Sequence, residues 1–90
     1  MSVAFKIGKG VAWQSYEAVD LLIILNRRNS QFYFFRDSSR YILEKILKGA
    51  NRNEIILTCY DEYDISGEEI GKQIDDFVDL LLQEGILDEW

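Results

Sequence analysis

The stretch from residue 21 to residue 47, "LLIILNRRNSQFYFFRDSSRYILEKIL", is the most informative about the fold, because its hydrophobic pattern changes period partway along. "LLIILN" is an apolar, partly β-branched block that predicts a strand covered on both faces. "NRRNS" supplies turn residues, and "QFYFF", residues 31–35, follows as another strand. From residue 37 onward, apolar residues recur at helical spacing. The segment therefore predicts a β-hairpin that leads directly into a helix.

The chain before this stretch adds one more strand. In "VAWQSY", residues 11–16, polar and apolar residues alternate, which places Val11, Trp13 and Ser15 on one face of a strand. With the hairpin, this predicts a three-stranded antiparallel meander over about residues 11–35. The first ten residues, "MSVAFKIGKG", show little periodicity and fit either a frayed start or a weak strand.

The chain after residue 36 reads as three helices over about residues 37–84, each with start and stop signals. Gly49 and Gly85 supply left-handed exits from the first and third helices. The N-terminal signals are Asp37 as an N-cap, Asn51 with Glu54, and Ser66 with Glu69 as a capping box. The predicted fold class is therefore α+β: an N-terminal three-stranded antiparallel sheet followed by three helices.

Composition indicates one small domain spanning residues 1–90. The chain has 90 residues, of which 48% are apolar, which is enough for one modest core. Its lone Cys59 cannot form an internal disulfide, and no N-terminal secretion signal is apparent, so we expect a cytoplasmic protein. The longest apolar block is far shorter than the roughly 20 residues of a membrane helix, so no membrane partner is expected.

Charge and residue types argue against catalysis and against nucleic acid as a partner. Ten basic and sixteen acidic residues give a net charge of −6, the wrong sign for gripping phosphates. The absence of histidine removes the usual general base and most zinc sites. The acidic runs "DEYD" and "DD" are typical of solvated helix surfaces, and no phosphate-binding loop appears. We expect no catalytic residue, no metal ligand and no cofactor.

Three strands followed by three helices, with several local features, resemble the family of PQQ-biosynthesis protein D. Its members are the PqqD-like proteins, also called RiPP recognition elements. The resemblance covers most of the chain and rests on a strand ending in a polar turn, an aromatic strand entering helix one, and Gly49 between the first two helices. It also rests on a "YDIS" entry to helix three and a final "LLQEGIL". The family's usual Leu-Asn pair before helix one is replaced here by Phe35, Arg36 and Asp37.

The resemblance implies a winged-helix-like module without catalytic activity. Such a module binds the leader segment of a ribosomally synthesised precursor peptide and brings it to a modifying enzyme. That enzyme would be a radical-SAM enzyme, a leader peptidase of a lasso-peptide pathway, or a cyclase. The leader would add as an extra strand beside the third strand, in a groove closed by the third helix.

The aromatic strand is the first candidate wall of that groove. An exposed edge strand has unpaired backbone groups, which favour aggregation. A peptide that binds as an added strand uses the same groups for hydrogen bonds. The candidate peptide-binding residues here are Gln31, Phe32, Tyr33, Phe34 and Phe35. Alternation sends Phe32 and Phe34 to one face and Tyr33 and Phe35 to the other, without saying which pair enters the core. The alternative is that residues 31–35 are an ordinary core strand, since aromatic residues are common in such strands as well.

The third helix is the second candidate wall. Its core stripe consists of Ile70, Ile74, Phe77 and Leu81. One flank of this stripe carries Gly71, Val78 and Leu82, bordered by Asp75 and Asp79, and the other flank carries Leu80. We expect the first flank to line the groove, with the small Gly71 admitting a peptide backbone and the two carboxylates meeting basic leader side chains. Packing of this flank against a neighbouring helix, with solvated acids, is the alternative.

Two other functions fit the same pattern. A winged-helix DNA-binding regulator would place the last helix in the major groove, but that helix is acidic and the hairpin precedes the helices instead of following them. A self-associating adaptor would use the aromatic edge to pair with a second copy, which gives a possible homodimer.

Overall fold

The structure is a computed structural model that describes residues 6–63 and 67–88. The strands are β1 (Lys6–Ile7), β2 (Val11–Tyr16), β3 (Leu21–Asn26), β4 (Gln31–Phe35) and β5 (Leu87–Asp88). The helices are α1 (Asp37–Leu47), α2 (Arg52–Tyr63) and α3 (Gly67–Gln83), and a short 3₁₀ turn covers Glu17–Val19. The predicted α+β class is confirmed, since a three-stranded antiparallel sheet is followed by three helices.

The predicted meander is the sheet with strand order β2-β3-β4, so its third strand, β4, lies at an edge. Both pairings are antiparallel, with Trp13 opposite Ile24 and Ile24 opposite Tyr33. The weak strand considered for the first ten residues is β1, which pairs with β5 in a separate two-stranded sheet. Residues 1–5 lie outside the described part of the chain.

The helices pack on the face of the sheet that carries Leu22 and Ile24. Those two side chains are completely buried and belong to one core cluster with residues of all three helices and of β5. On the outer face, Leu21, Ile23 and Leu25 are only half-buried. The prediction that this strand is covered on both faces is therefore wrong, because the three helices cover one face only. Of the described helices, none has the length and apolar character needed to cross a bilayer.

Several predicted helix ends are confirmed. The amide of Asn51 donates to the Glu54 carboxylate at 3.2 Å, and the amide of Glu54 donates to Asn51 Oδ1 at 3.0 Å, so the two residues cap each other. Gly49 after α1 and Gly85 after α3 adopt positive φ angles of 97° and 73°. Ser66, predicted to cap α3, lies outside the described residues.

The prediction that Asp37 caps α1 is wrong. Asp37 is the first residue of the helix with φ 57°, and Arg36 precedes it as the N-cap without a side-chain capping bond. Instead, the Asp37 amide donates to Asp20 Oδ2 at 2.9 Å. A carboxylate from the loop before β3 thus satisfies this amide, a long-range contact that local sequence cannot show.

A buried carboxylate anchors α1 to the sheet. Glu44 accepts from Arg40 Nη1 at 2.6 Å, from Lys48 Nζ at 2.8 Å and from Ser15 Oγ of β2 at 3.1 Å. The bond from Lys48 is the main reason that the pKa of Glu44 is lowered, and burial opposes that shift. Arg40 also pairs with Asp20, whose pKa it lowers. These bonds favour the ionised carboxylate of Glu44 at neutral pH.

The two short strands, β1 and β5, pair next to the C-terminal end of α3. The Gly8 amide donates to the Ile86 carbonyl at 2.8 Å, and buried Asn26 donates through Nδ2 to the Glu84 carbonyl at 2.9 Å. A Cβ atom at Gly8 would lie 2.2 Å from the Gly85 carbonyl oxygen. Only glycine permits this approach of two backbones.

Candidate functional site

The side chains of β4 divide as the alternation predicted, and the structure shows which pair faces the core. Tyr33 and Phe35 are half-buried and pack against the core cluster. Phe32 and Phe34 point to the outer face of the sheet, where they are 59% and 65% exposed. Two aromatic rings therefore stand in solvent at the edge of the sheet, which is unusual for an edge strand.

The backbone of the same two residues points to the open edge of β4, the edge at which no strand of residues 6–63 and 67–88 pairs. The Arg27 amide donates to the Gly10 carbonyl at 3.0 Å, and this bond fixes which residues of β3 bond to β2. Because bonding direction alternates along a strand, the odd-numbered residues of β3 face β2 and the even-numbered ones face β4. In the observed register, Ile24 lies opposite Tyr33 and Leu22 opposite Phe35. The N–H and C=O groups of Phe32 and Phe34 are thus directed away from β3.

One flank of α3 lies beside β4. The Phe35 and Phe77 rings meet edge-to-face with centroids 5.8 Å apart. The Tyr33 hydroxyl donates to the Glu84 carboxylate at 2.9 Å. Helical spacing places Leu80 on the same flank, between Phe77 and Glu84, and Leu80 is 47% exposed. We call the strip between the open edge of β4 and this flank the β4–α3 groove.

The hydrogen bonds of Tyr33 connect β4 to Glu84 at one end of this groove. Its hydroxyl accepts from Asn29 Nδ2 at 3.0 Å while donating to Glu84. The bond from Asn29 acts to lower the pKa of Tyr33, but burial and the negative charge of Glu84 outweigh it and raise the pKa. The phenol therefore stays protonated and serves as a fixed donor.

The flank of α3 that was predicted to line the groove faces α2 instead. Val78 is buried, and Gly71 is buried where a Cβ atom would lie 2.9 Å from Arg52 Nη2. Asp75 pairs with the guanidinium of Arg52, with an Nε–Oδ1 distance of 2.8 Å. In the structure, Gly71 therefore accommodates a side chain of α2 and Asp75 has a cationic partner, and peptide binding at this flank stays a prediction.

The other two predicted residues of α3, Asp79 and Leu82, differ in their burial. Asp79 is exposed. Leu82 is half-buried and lines a surface cavity of about 450 Å³ together with Asn29 and Glu84, near the start of β4. Phe77 and Leu80, on the flank beside β4, were not among the predicted groove residues. Leu80 was a usable signal, since an apolar residue outside the core stripe needs a reason.

These features define an α+β module in which an open, aromatic sheet edge lies beside a helix. The chain belongs to the PqqD family: the family model for coenzyme PQQ synthesis protein D matches residues 22–87, which confirms the resemblance. No curated protein matches the sequence.

Two solved structures share the fold. One is TbiB1 in complex with the TbiA(β) leader peptide, with a TM-score of 0.87 and 18% identity over 94% of this chain and 96% of that one. The other is a lasso peptide synthetase B1 complexed with the leader peptide, with a TM-score of 0.82 and 15% identity over 93% of this chain and 96% of that one. At these identities the likeness establishes the fold.

Proposed function

We propose that this protein is a non-catalytic recognition module for the leader peptide of a ribosomally synthesised precursor. The leader binds as an added strand in the β4–α3 groove. The observation that carries the proposal is the open edge of β4, where the backbone groups of Phe32 and Phe34 face outward beside an exposed flank of α3. The two solved structures of the same fold, both complexes with leader peptides, support it.

Two kinds of contact would hold the leader. Hydrogen bonds to the outward backbone groups of β4 would supply affinity that does not depend on leader sequence, and side-chain pockets would supply selectivity. In this proposal Gln31 to Phe35 form the strand wall, which keeps the sequence-based prediction for β4. We place the helix wall at Phe77 and Leu80, because this flank lies beside β4 whereas the flank with Gly71 and Val78 lies against α2.

Binding would be the whole activity of this chain. The bound leader keeps the rest of the precursor close to a modifying enzyme, which raises its effective concentration there. Candidate enzymes are a radical-SAM enzyme, a leader peptidase and a cyclase. The presented precursor and that enzyme are the partners we propose, and the chemistry belongs to the enzyme.

Proline substitution tests the added strand directly. The Phe34 amide is directed to the open edge, so Phe34→Pro should remove one leader hydrogen bond while leaving the bonds between β3 and β4 intact. Phe34→Ala is the matched control, since it also removes the ring but keeps the amide. Binding of a fluorescein-labelled leader, from the precursor encoded beside the gene, should be about two- to tenfold weaker for Phe34→Pro than for Phe34→Ala.

The fold of both variants is checked by circular dichroism and urea unfolding. A folded Phe34→Pro variant that binds the leader as tightly as Phe34→Ala would contradict pairing at this edge. Tyr33→Pro provides the reverse control, because the Tyr33 amide faces β3 and its loss should destabilise the sheet itself.

A further inference from the structure

We infer that the leader carries three consecutive apolar residues, of which the middle one enters the groove and its two neighbours lie on the outer face against Phe32 and Phe34. This inference rests on the proposed function and specifies the chemistry of its ligand. A strand with one buried face usually alternates apolar and polar residues. The leader would instead be apolar on both faces.

The outer face of the sheet is apolar across β3 and β4, up to the open edge. In the observed register, Ala12, Leu25 and Phe32 form one row across the three strands. In the next row, Ile23 of β3 lies opposite Phe34 of β4. Both rows end in a ring that is more than half exposed, 59% for Phe32 and 65% for Phe34. An added strand beside β4 would extend both rows by one residue.

The direction of the backbone decides which leader residues reach these rings. For a leader that adds antiparallel to β4, the residues opposite Phe32 and Phe34 are the ones that bond to them, because these two residues direct their backbone groups to the open edge. Residues directly opposite in neighbouring strands place their side chains on the same face, with Cβ atoms about 4.5–5.5 Å apart. The leader residue between them lies opposite Tyr33 and points inward, toward Phe77 and Leu80.

An extended peptide fits this edge better than a folded partner lying flat on the sheet. Edge strands that are not used for pairing are usually protected by charged residues, whereas β4, "QFYFF", has none. The exposed rings and the outward backbone groups belong to the same two residues. An extended peptide engages both at once, whereas a partner on the outer face would engage the rings and leave the edge open.

The test measures leader binding for variants on both sides of the contact. The probe is the fluorescein-labelled leader of the precursor encoded beside the gene, together with a set of its single serine variants, and the readout is fluorescence anisotropy. On the protein side, Phe32→Ser and Phe34→Ser are compared with Tyr16→Ser. Tyr16 is a matched control because it is exposed on the same outer face, but on β2, at the far edge.

We expect a few-fold weaker binding for each of Phe32→Ser and Phe34→Ser, about tenfold or more for the double variant, and no change for Tyr16→Ser. Serine should weaken the leader at three adjacent positions. The effects of the two outer positions should shrink when the facing phenylalanine is already absent, as a double-mutant cycle shows.

Two results would overturn the inference and are distinguishable. If the leader binds and serine at the outer positions has no effect, or if Tyr16→Ser weakens binding as much as Phe34→Ser, the two-faced ligand is refuted and the proposed function stands. If the leader does not bind the unaltered protein at concentrations well above micromolar, the proposed function fails and the inference with it.

Discussion

Leu80→Ala should weaken leader binding about fivefold and leave the protein folded. Leu80 lies on the flank of α3 that faces β4, with 47% of the residue exposed. Fully burying a leucine side chain contributes about 1.5–3 kcal/mol, so covering the exposed half contributes about 1 kcal/mol. That free energy corresponds to about a fivefold change in Kd. The substitution also costs the free protein some packing, but less than a fully buried leucine would.

Anisotropy titration with the labelled leader measures this change, and urea unfolding confirms that the variant remains folded under the titration conditions. Leu57→Ala is the matched control, because Leu57 is the same residue type, 69% exposed, on α2. Gly71→Ala probes the opposite flank of α3. The reasoning is refuted if Leu80→Ala binds like the unaltered protein, or if Gly71→Ala weakens binding more than Leu80→Ala does.

Three further predictions concern stability. Glu44→Gln should lower the free energy of unfolding by about 1.5–3 kcal/mol, because it weakens charge-assisted bonds to a buried group; an unchanged urea midpoint would contradict this. Asp20 and Glu44 have pKa values lowered from 3.8 and 4.5, so the stability they contribute is present above those values and should be lost as the pH falls below about 4.5. Thermal melts followed by circular dichroism at a series of pH values should show this loss of stability. The loss below pH 4.5 should be smaller for Glu44→Gln than for the unaltered protein. An equal pH dependence of these two proteins would exclude Glu44 as a cause. Gly8→Ala should cost more than about 2 kcal/mol, because its Cβ would lie 2.2 Å from the Gly85 carbonyl oxygen, and a melting temperature equal to that of the unaltered protein would refute the contact.

Local sequence signals predicted the elements well. The meander, the reciprocal cap of Asn51 and Glu54 and the glycine exits at Gly49 and Gly85 all depend on residues within a few positions of one another. The start of α1 was missed because the Asp37 amide bonds to Asp20, which lies seventeen residues earlier. A rule based on neighbouring residues does not include such a contact.

For the strand wall of the candidate site, our proposal keeps the sequence-based prediction, whereas for the helix wall it differs from it. The position of β4 as the last strand before the helices indicated an edge, and alternation gave two possible faces for its rings. A helical wheel gives the width of the apolar arc of α3 but not which flank meets which neighbour. Which flank meets which neighbour depends on how α2 packs. In the structure, Arg52 of α2 lies next to Gly71 and pairs with Asp75, so this flank of α3 meets α2.

Amide hydrogen exchange of β4, followed by NMR with and without the leader, shows whether the leader adds as a strand to β4. In the free protein, the Tyr33 and Phe35 amides should be protected by β3, and the Phe32 and Phe34 amides should exchange quickly at the open edge. Saturating leader should protect Phe32 and Phe34 and leave the other two as they were. Bound leader without new protection at Phe32 and Phe34 would contradict strand addition at this edge.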